Sequence, residues 1–314
     1  MRLEHVNILA LTLAFSLAIG GTLLVKDQAI GPAYTTSTYT PVKRVSDTVI
    51  DARGQRLPVR PYQRIASLNP VADRLLLELV EPNRLVAVTA YSVQKHPDGW
   101  RFKQQAEIAT SNDIESILAA NPDLVIASQF TAASYIARLN EENIAVFDLG
   151  EARGAATTLA NIETLATLLD ATQRGERLAN SYRRQLSALE TRTRDLPRKQ
   201  GLYLSFYADA FFGGTTGSSY ADMLRYAGVS DLAAKHGYKD WPKYTPAQVL
   251  AMNPEMIITQ RGMGSAICRH SILKSLPACA TGGRVIELPD GYDSDAGLGL
   301  VHAARVLRTL VYGE

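Results

Sequence analysis

Cysteine is nearly missing from this chain: Cys268 and Cys279 are the only two in 314 residues, and no CxxC pair exists. Zinc ribbons and thioredoxin-type redox motifs are therefore out of consideration. Histidine is almost as sparse. Of the five, His5 falls in the N-terminal segment just before an apolar run, and His96, His236, His270 and His302 show no metal-ligand spacing. Neither charge sign dominates, since 33 Lys and Arg stand against 31 Asp and Glu, for a net +2. No basic run alternates with aromatics, so a nucleic-acid partner is not expected. The glycine-rich stretch Gly213–Ser219 lacks the Gly-Lys-Ser/Thr ending with which a P-loop reaches a terminal phosphate. No Gly-x-Ser-x-Gly elbow or Cys/His arrangement stands out, and no carboxylate couple sits between apolar neighbours as an acid/base pair would. The expectation is a protein that binds and does not catalyse, with no intrinsic cofactor and no bound metal of its own.

Apolar residues, by contrast, run almost unbroken from Val6 to Val25. Such a run has the shape of an export signal and is also long enough to span a bilayer. Ala18-Ile19-Gly20 is its best small-x-small cleavage site, and no cysteine follows to carry a lipid. Residues 1–25 are thus expected to be a signal peptide or an N-terminal anchor. Residues 26–45, rich in Thr, Ser, Pro and Tyr, read as a linker. Either fate delivers the body to an oxidising compartment, where Cys268 and Cys279 can pair and staple a short loop. Two separate buried thiols are the alternative.

The body carries one pattern twice. Asp113-Ile114-Glu115-Ser116-Ile117-Leu118-Ala119-Ala120-Asn121-Pro122-Asp123-Leu124-Val125-Ile126 returns without a gap as Thr245-Pro246-Ala247-Gln248-Val249-Leu250-Ala251-Met252-Asn253-Pro254-Glu255-Met256-Ile257-Ile258. Each copy opens a short helix with one apolar face, stops it at Asn-Pro, and continues as an apolar run suited to a strand buried on both faces of a parallel sheet. A second echo pairs Ala72-Asp73-x-Leu75 with Ala221-Asp222-x-Leu224. Between the copies, residues 156–194 show helical periodicity and no strand, as one long helix or two in succession with a break near Asp170-Ala171-Thr172. The expected fold is α/β: two Rossmann-like lobes, each with a mainly parallel central sheet, joined by a long rigid helical connector, with a ligand cleft between them. The boundaries expected are 46–153 for the first lobe, 154–197 for the connector and 198–314 for the second. A stiff connector predicts little motion between lobes.

Thr48–Val59 reads as a hairpin, Arg64–Leu68 as a strand ending at Asn69-Pro70, and Tyr91–Phe102 as a polar and aromatic loop. Aromatic and polar residues recur at the carboxyl ends of the predicted strands: Tyr91-Ser92, Gln129-Phe130, Phe206-Tyr207, Phe211-Phe212, Tyr238, Trp241 and Gln260-Arg261. In open α/β sheets ligands bind at that edge, and several aromatics there suit a large, flat or partly apolar ligand such as a chelate or macrocycle. Gly213–Ser219 reads as a helix N-terminus whose N–H groups and hydroxyls face the cleft, or as plain capping. His96 or His236, with Tyr91 or Tyr207, has the chemistry of a haem-iron ligand, beside the plainer roles of surface or cap.

The hairpin Thr48–Val59 with Arg64-Ile65-Ala66-Ser67-Leu68-Asn69-Pro70, the segment Ile114–Ile126 with its Asn-Pro-Asp-Leu-Val-Ile, and the long linking helix together resemble the periplasmic substrate-binding proteins of ABC importers for iron–siderophores, haem and cobalamin. The resemblance covers residues 46–312. It implies a periplasmic, monomeric carrier, soluble or held at the inner membrane by its N-terminal segment, that hands a ferric chelate, corrinoid or haem to a permease and its ATPase. The iron–siderophore is put first on the entry hairpin, with cobalamin next through Trp241, and a membrane-tethered sensory or accessory module as another use of the fold. The ligand residues it implies, with the strand-end reading, are Asn69, Tyr91, Phe130, Tyr207, Thr216, Trp241 and Arg261. The family docks through one acidic residue at the helix start of each repeat copy. Glu115 matches the first, whereas Ala247 stands at the second, with Asp240 or Glu255 as the nearby acids.

Overall fold

Residues 47–109, 113–291 and 296–313 are described by the structure, a computed structural model of the chain. The N-terminal apolar run and the linker lie outside the described residues. Among those described, no helix is long and apolar enough to cross a membrane.

A hairpin of β1 (Thr48–Ile50) and β2 (Arg56–Pro58) opens the body. Then β3 (Ile65–Ser67), α1 (Pro70–Leu79), β4 (Leu85–Thr89), α2 (Ala90–Gln94), β5 (Ala106–Ile108), α3 (Ile114–Ala119), β6 (Leu124–Ala127), α4 (Ala133–Glu141) and β7 (Ala145–Asp148) alternate. The strands form one parallel sheet in the order β5-β4-β3-β6-β7. Its central strands β3 and β6 are buried throughout, as apolar runs covered by helices on both faces must be.

The second half repeats this plan with β8 (Lys199–Tyr203), β9 (Ser205–Tyr207), β10 (Ala210–Phe212), α7 (Ser219–Tyr226), β11 (Val229–Asp231), α8 (Leu232–Lys235), β12 (Lys243–Tyr244), α9 (Pro246–Met252), β13 (Met256–Gln260), α10 (Gly264–Arg269), β14 (Arg284–Leu288) and α11 (Leu300–Tyr312), following the helices α5 (Ala155–Leu168) and α6 (Thr172–Thr193). Its parallel sheet runs β11-β8-β13-β14, so β11, β8, β13 and β14 take the places of β4, β3, β6 and β7. The duplicated segment supplies the same helix and the same inner strand each time. Its Asn-Pro punctuation also has the same geometry: Asn121 and Asn253 are both left-handed, with φ of 45° and 48°. The stop is thus a left-handed turn and not the extended residue that the following proline favours; asparagine tolerates that region best after glycine.

Two expectations are corrected. Phe206-Tyr207 and Phe211-Phe212 do not end strands of the main sheet. They form the hairpin β9–β10, which pairs with β12 as a separate antiparallel sheet. The stretch beginning at Tyr91 is not all loop either. Thr89 accepts a hydrogen bond from the Ser92 N–H and starts the one-turn helix α2.

The connector is two helices, broken at Leu169–Ala171, where Asp170 has φ +52°. α5 starts against the second core with Ala155 and continues in the first with Ile162, Leu165, Ala166 and Leu168. Gly175 of α6 lies so close to α5 that a Cβ there would stand 2.3 Å from that of Ala166. α6 likewise bridges the two halves. Ala179 near its start packs in the first core, whereas Tyr182, Leu186 and Leu189 pack in the second. Cys268 and Cys279 form the expected disulfide, beside the second core.

Candidate ligand-binding cleft

In each sheet the chain fills one side and then crosses to the other, leaving a crevice at the carboxyl ends of β3 and β6 and of β8 and β13. The two edges meet at both ends. At one, the backbone N–H of Ala155 donates to Asp222 Oδ2 (2.8 Å), and Gly154 is left-handed with no room for a side chain beside that carboxylate. There too, Arg153 Nη1 donates to Asp240 Oδ1 (2.5 Å) and to the Gly217 carbonyl (3.0 Å), and Arg153 also pairs with Glu151. At the other end Gly291, beyond β14, abuts Pro97 of the loop after α2.

Most of the predicted ligand residues are exposed, in segments that follow β4, β6 and β13 or in and beside the small sheet after β8. Tyr91, Phe130, Tyr207 and Trp241 are 38%, 84%, 71% and 44% exposed, in a chain that otherwise leaves one aromatic, Trp100, comparably open among the described residues. Leaving a phenylalanine or tyrosine so exposed forgoes about 2 kcal/mol of burial, which makes these rings candidates for contact with a ligand or partner. Tyr207 sits at the tip of a hairpin whose turn residues Ala208 and Asp209 are both left-handed, φ +47° and +57°. Arg261 lies past the end of β13, exposed, 3.7 Å from Asp290. Asn69 is buried, and its side-chain oxygen accepts from the Val71 and Ala72 N–H groups as the N-cap of α1. Thr216 is half-buried and takes part through its carbonyl, which accepts from the Asp240 N–H (2.7 Å).

The glycine-rich loop is a platform. Gly213 and Gly214 lie flat on the rings of Tyr244 and Tyr220, so close that any Cβ would collide. The Thr215 and Ser218 hydroxyls turn inward, to Asp231 (2.6 Å) and to the Thr215 carbonyl (2.7 Å), and do not face the cleft. The Thr215 N–H donates to the Asp240 carbonyl and the Gly213 N–H to that of Pro242, so the loop carries the segment bearing Trp241. Arg153 then covers the indole, 4.9 Å from its centroid.

On the first sheet, Arg53 from the hairpin turn donates to Asp148 (2.5 Å) and to the Thr131 carbonyl (2.7 Å), beside Phe130. Below this edge Asp73 is wholly buried. Its Oδ2 accepts from the Thr89 N–H and from the Thr89 and Ser92 hydroxyls, while Oδ1 has no partner. Burial outweighs these donors and lifts its pKa to about 6. No set of three His, Cys, Asp or Glu side chains is grouped to hold a metal among the described residues. His96 and His270 each use Nδ1 to accept a backbone N–H, from Asp98 and Ile272.

The sequence profile of a family described as periplasmic binding protein matches residues 65–292. The chain belongs to that family. Among its relatives, the vitamin B12-binding protein of Vibrio campbellii is 26% identical over 205 residues, covering 64% of this chain and 72% of that protein. The vitamin B12-binding protein of Yersinia pestis is 22% identical over 204 residues, covering 64% and 71%. Among solved structures, the heme binding protein HmuT superposes with a TM-score of 0.71 at 19% identity, over 87% of this chain and 95% of that one. The periplasmic heme-binding protein RhuT from Roseiflexus sp. RS-1 does so at 0.69 and 22%, over 80% and 98%. These likenesses establish the two-lobed fold of such binding proteins.

Sequence reasoning missed Arg153, Asp222 and the Arg53–Asp148 pair. Arg153 and Asp222 act across the cleft between segments far apart in the chain, which no local pattern reveals. Only Gly150 and Gly154, flanking Glu151 and Arg153, hinted at a sharply turned segment.

Proposed function

We propose that this periplasmic binding protein carries a flat macrocycle or metal chelate between its lobes and delivers it to an ABC permease, with a corrinoid as the first choice and haem or a ferric chelate after it. The observation that carries the reading is the set of four exposed aromatics: Tyr91 and Phe130 in the segments that follow β4 and β6, Tyr207 on the β9–β10 hairpin that follows β8, and Trp241 just before β12. Apolar faces with few polar fixings suit a large planar ligand. Charge orders the candidates. Arg53, Arg153 and Arg261 each face a carboxylate: Asp148, Asp240 with Glu151, and Asp290. A strongly anionic ferric siderophore would have to displace those carboxylates, whereas an amide-rich corrinoid need not. The ferric chelate, placed first by the sequence, therefore moves behind. The B12-binding relatives favour the same order.

Delivery is read from the repeat. Glu115 is exposed in the first turn of α3, and Ala247 is exposed at the same point of α9. Neither nearby acid replaces the missing carboxylate. Asp240 is held by Arg153, and Glu255 precedes β13 at the amino end of the sheet, away from the helix start. Docking is then charged on one lobe and uncharged at the matching place on the other.

Cyanocobalamin, haemin and a ferric hydroxamate, titrated separately while tryptophan emission is followed, test the assignment. Binding of the corrinoid, weakened at least tenfold in Trp241→Ala, is the expected result; alanine truncation of a well-placed aromatic costs 1 kcal/mol or more, about 2 for a strong anchor. Absence of binding by all three would overturn the reading.

A further inference from the structure

Resting on the carrier reading, we infer that Arg153 is a positioning residue: it holds the Trp241 indole in the orientation that meets the ligand, and does not itself attract the ligand by charge. Three features of the arrangement carry this. The guanidinium lies over the indole, 4.9 Å from its centroid, so one face of the ring is backed while the residue as a whole stays 44% exposed. The same guanidinium is fixed from the other half of the molecule, by Asp240 Oδ1 at 2.5 Å and the Gly217 carbonyl at 3.0 Å. It is also paired with Glu151, so two carboxylates neutralise it and little attraction is left for an anion. The backbone is shaped around this contact. Gly217 has φ +92°, and a Cβ there would come within 2.8 Å of Asp240 Oδ1, while Asp240 itself is left-handed at φ +56°. Non-glycine residues enter that region at a cost, so a built site is the better account of it than a chance surface pair. A planar fork that bonds sideways and stacks on its face is what arginine supplies and lysine does not.

The alternative role, a cation awaiting an anionic ligand, makes an opposite forecast: its removal would weaken anionic ligands and leave Trp241 where it is. The test uses the full chain in a Trp100→Phe background, so that emission reports Trp241 alone. Arg153→Ala and Arg153→Lys are compared with the parent for acrylamide quenching, for melting temperature, and for affinity toward whichever of cyanocobalamin, haemin or ferric hydroxamate the parent binds. A positioning role requires that Arg153→Ala raise quenching of the free protein and weaken binding about tenfold, with Arg153→Lys recovering little of either. It also requires that Arg153→Ala add less than about twofold on top of Trp241→Ala, because residues acting through one contact are not additive. Unchanged quenching, or multiplicative losses in the double variant, would overturn the inference, as would rescue by lysine. Should the parent bind none of the three probes, the carrier reading fails by itself. The quenching comparison still decides whether Arg153 sets the indole.

Discussion

Asp73 shows how one buried side chain records its surroundings in a measurable way. Its folded-state pKa, raised to about 6 from 3.8, means that between those values the folded chain keeps a proton the unfolded chain has released. Unfolding free energy from this residue therefore falls as pH rises through that window and is level above it. Asp73→Asn removes the titration. It is expected to gain on the wild type between pH 4 and pH 7, by about 3 kcal/mol at most from a shift of two units. Urea midpoints at the two pH values check this, and a variant retaining the full slope would place the titration elsewhere. Asp222, its counterpart in the sequence echo, kept the residue type and changed the task, from binding hydroxyls within a lobe to accepting an N–H across the cleft. The echo was legible, and the divergence was not. Asn69, and the hydroxyls of Gly213–Ser219 read as facing the cleft, show the same limit: the Asn69 side chain caps a helix N-terminus and the Thr215 hydroxyl meets a buried carboxylate, contacts that no local pattern announces.

Among the elements, the repeated helix–Asn-Pro–strand unit was the most legible, because everything that shapes it lies within fourteen consecutive residues. Asn121 and Asn253 occupy the left-handed region, where alanine costs about 1–2 kcal/mol and glycine is accommodated. Alanine at either position is expected to destabilise by about 1 kcal/mol, and glycine by a few tenths; denaturant unfolding of the four variants is the measurement. Equal tolerance of alanine would mean the turn does not constrain the fold. The β9–β10–β12 sheet escaped the sequence reading because Phe211 and Tyr244 pair across more than thirty positions, and alternation within three residues is too short to signal a strand. Helix α2 escaped because a single turn carries no period. The break in the connector was visible at Asp170, but not that α5 folds back on α6, a contact that depends on Gly175 meeting Ala166.

For the whole molecule, the question is how far the lobes move. α6 has side chains in both cores, and Asp222 and Arg153 tie the halves beside the start of α5. Those ties oppose wide hinge bending, which is absorbed by a few unpinned residues. The radius of gyration from solution scattering is expected to stay the same, within error, on saturating ligand; a clear contraction would contradict the rigid frame. The bracing at Ala155–Asp222 and at Gly291–Pro97 has a further effect on traffic. If the protein carries a ligand as proposed, contacts at both ends of the cleft leave its open side as the way in, slid like a coin, and release then turns on the grip of the four rings proposed to hold it and not on a jaw swinging apart.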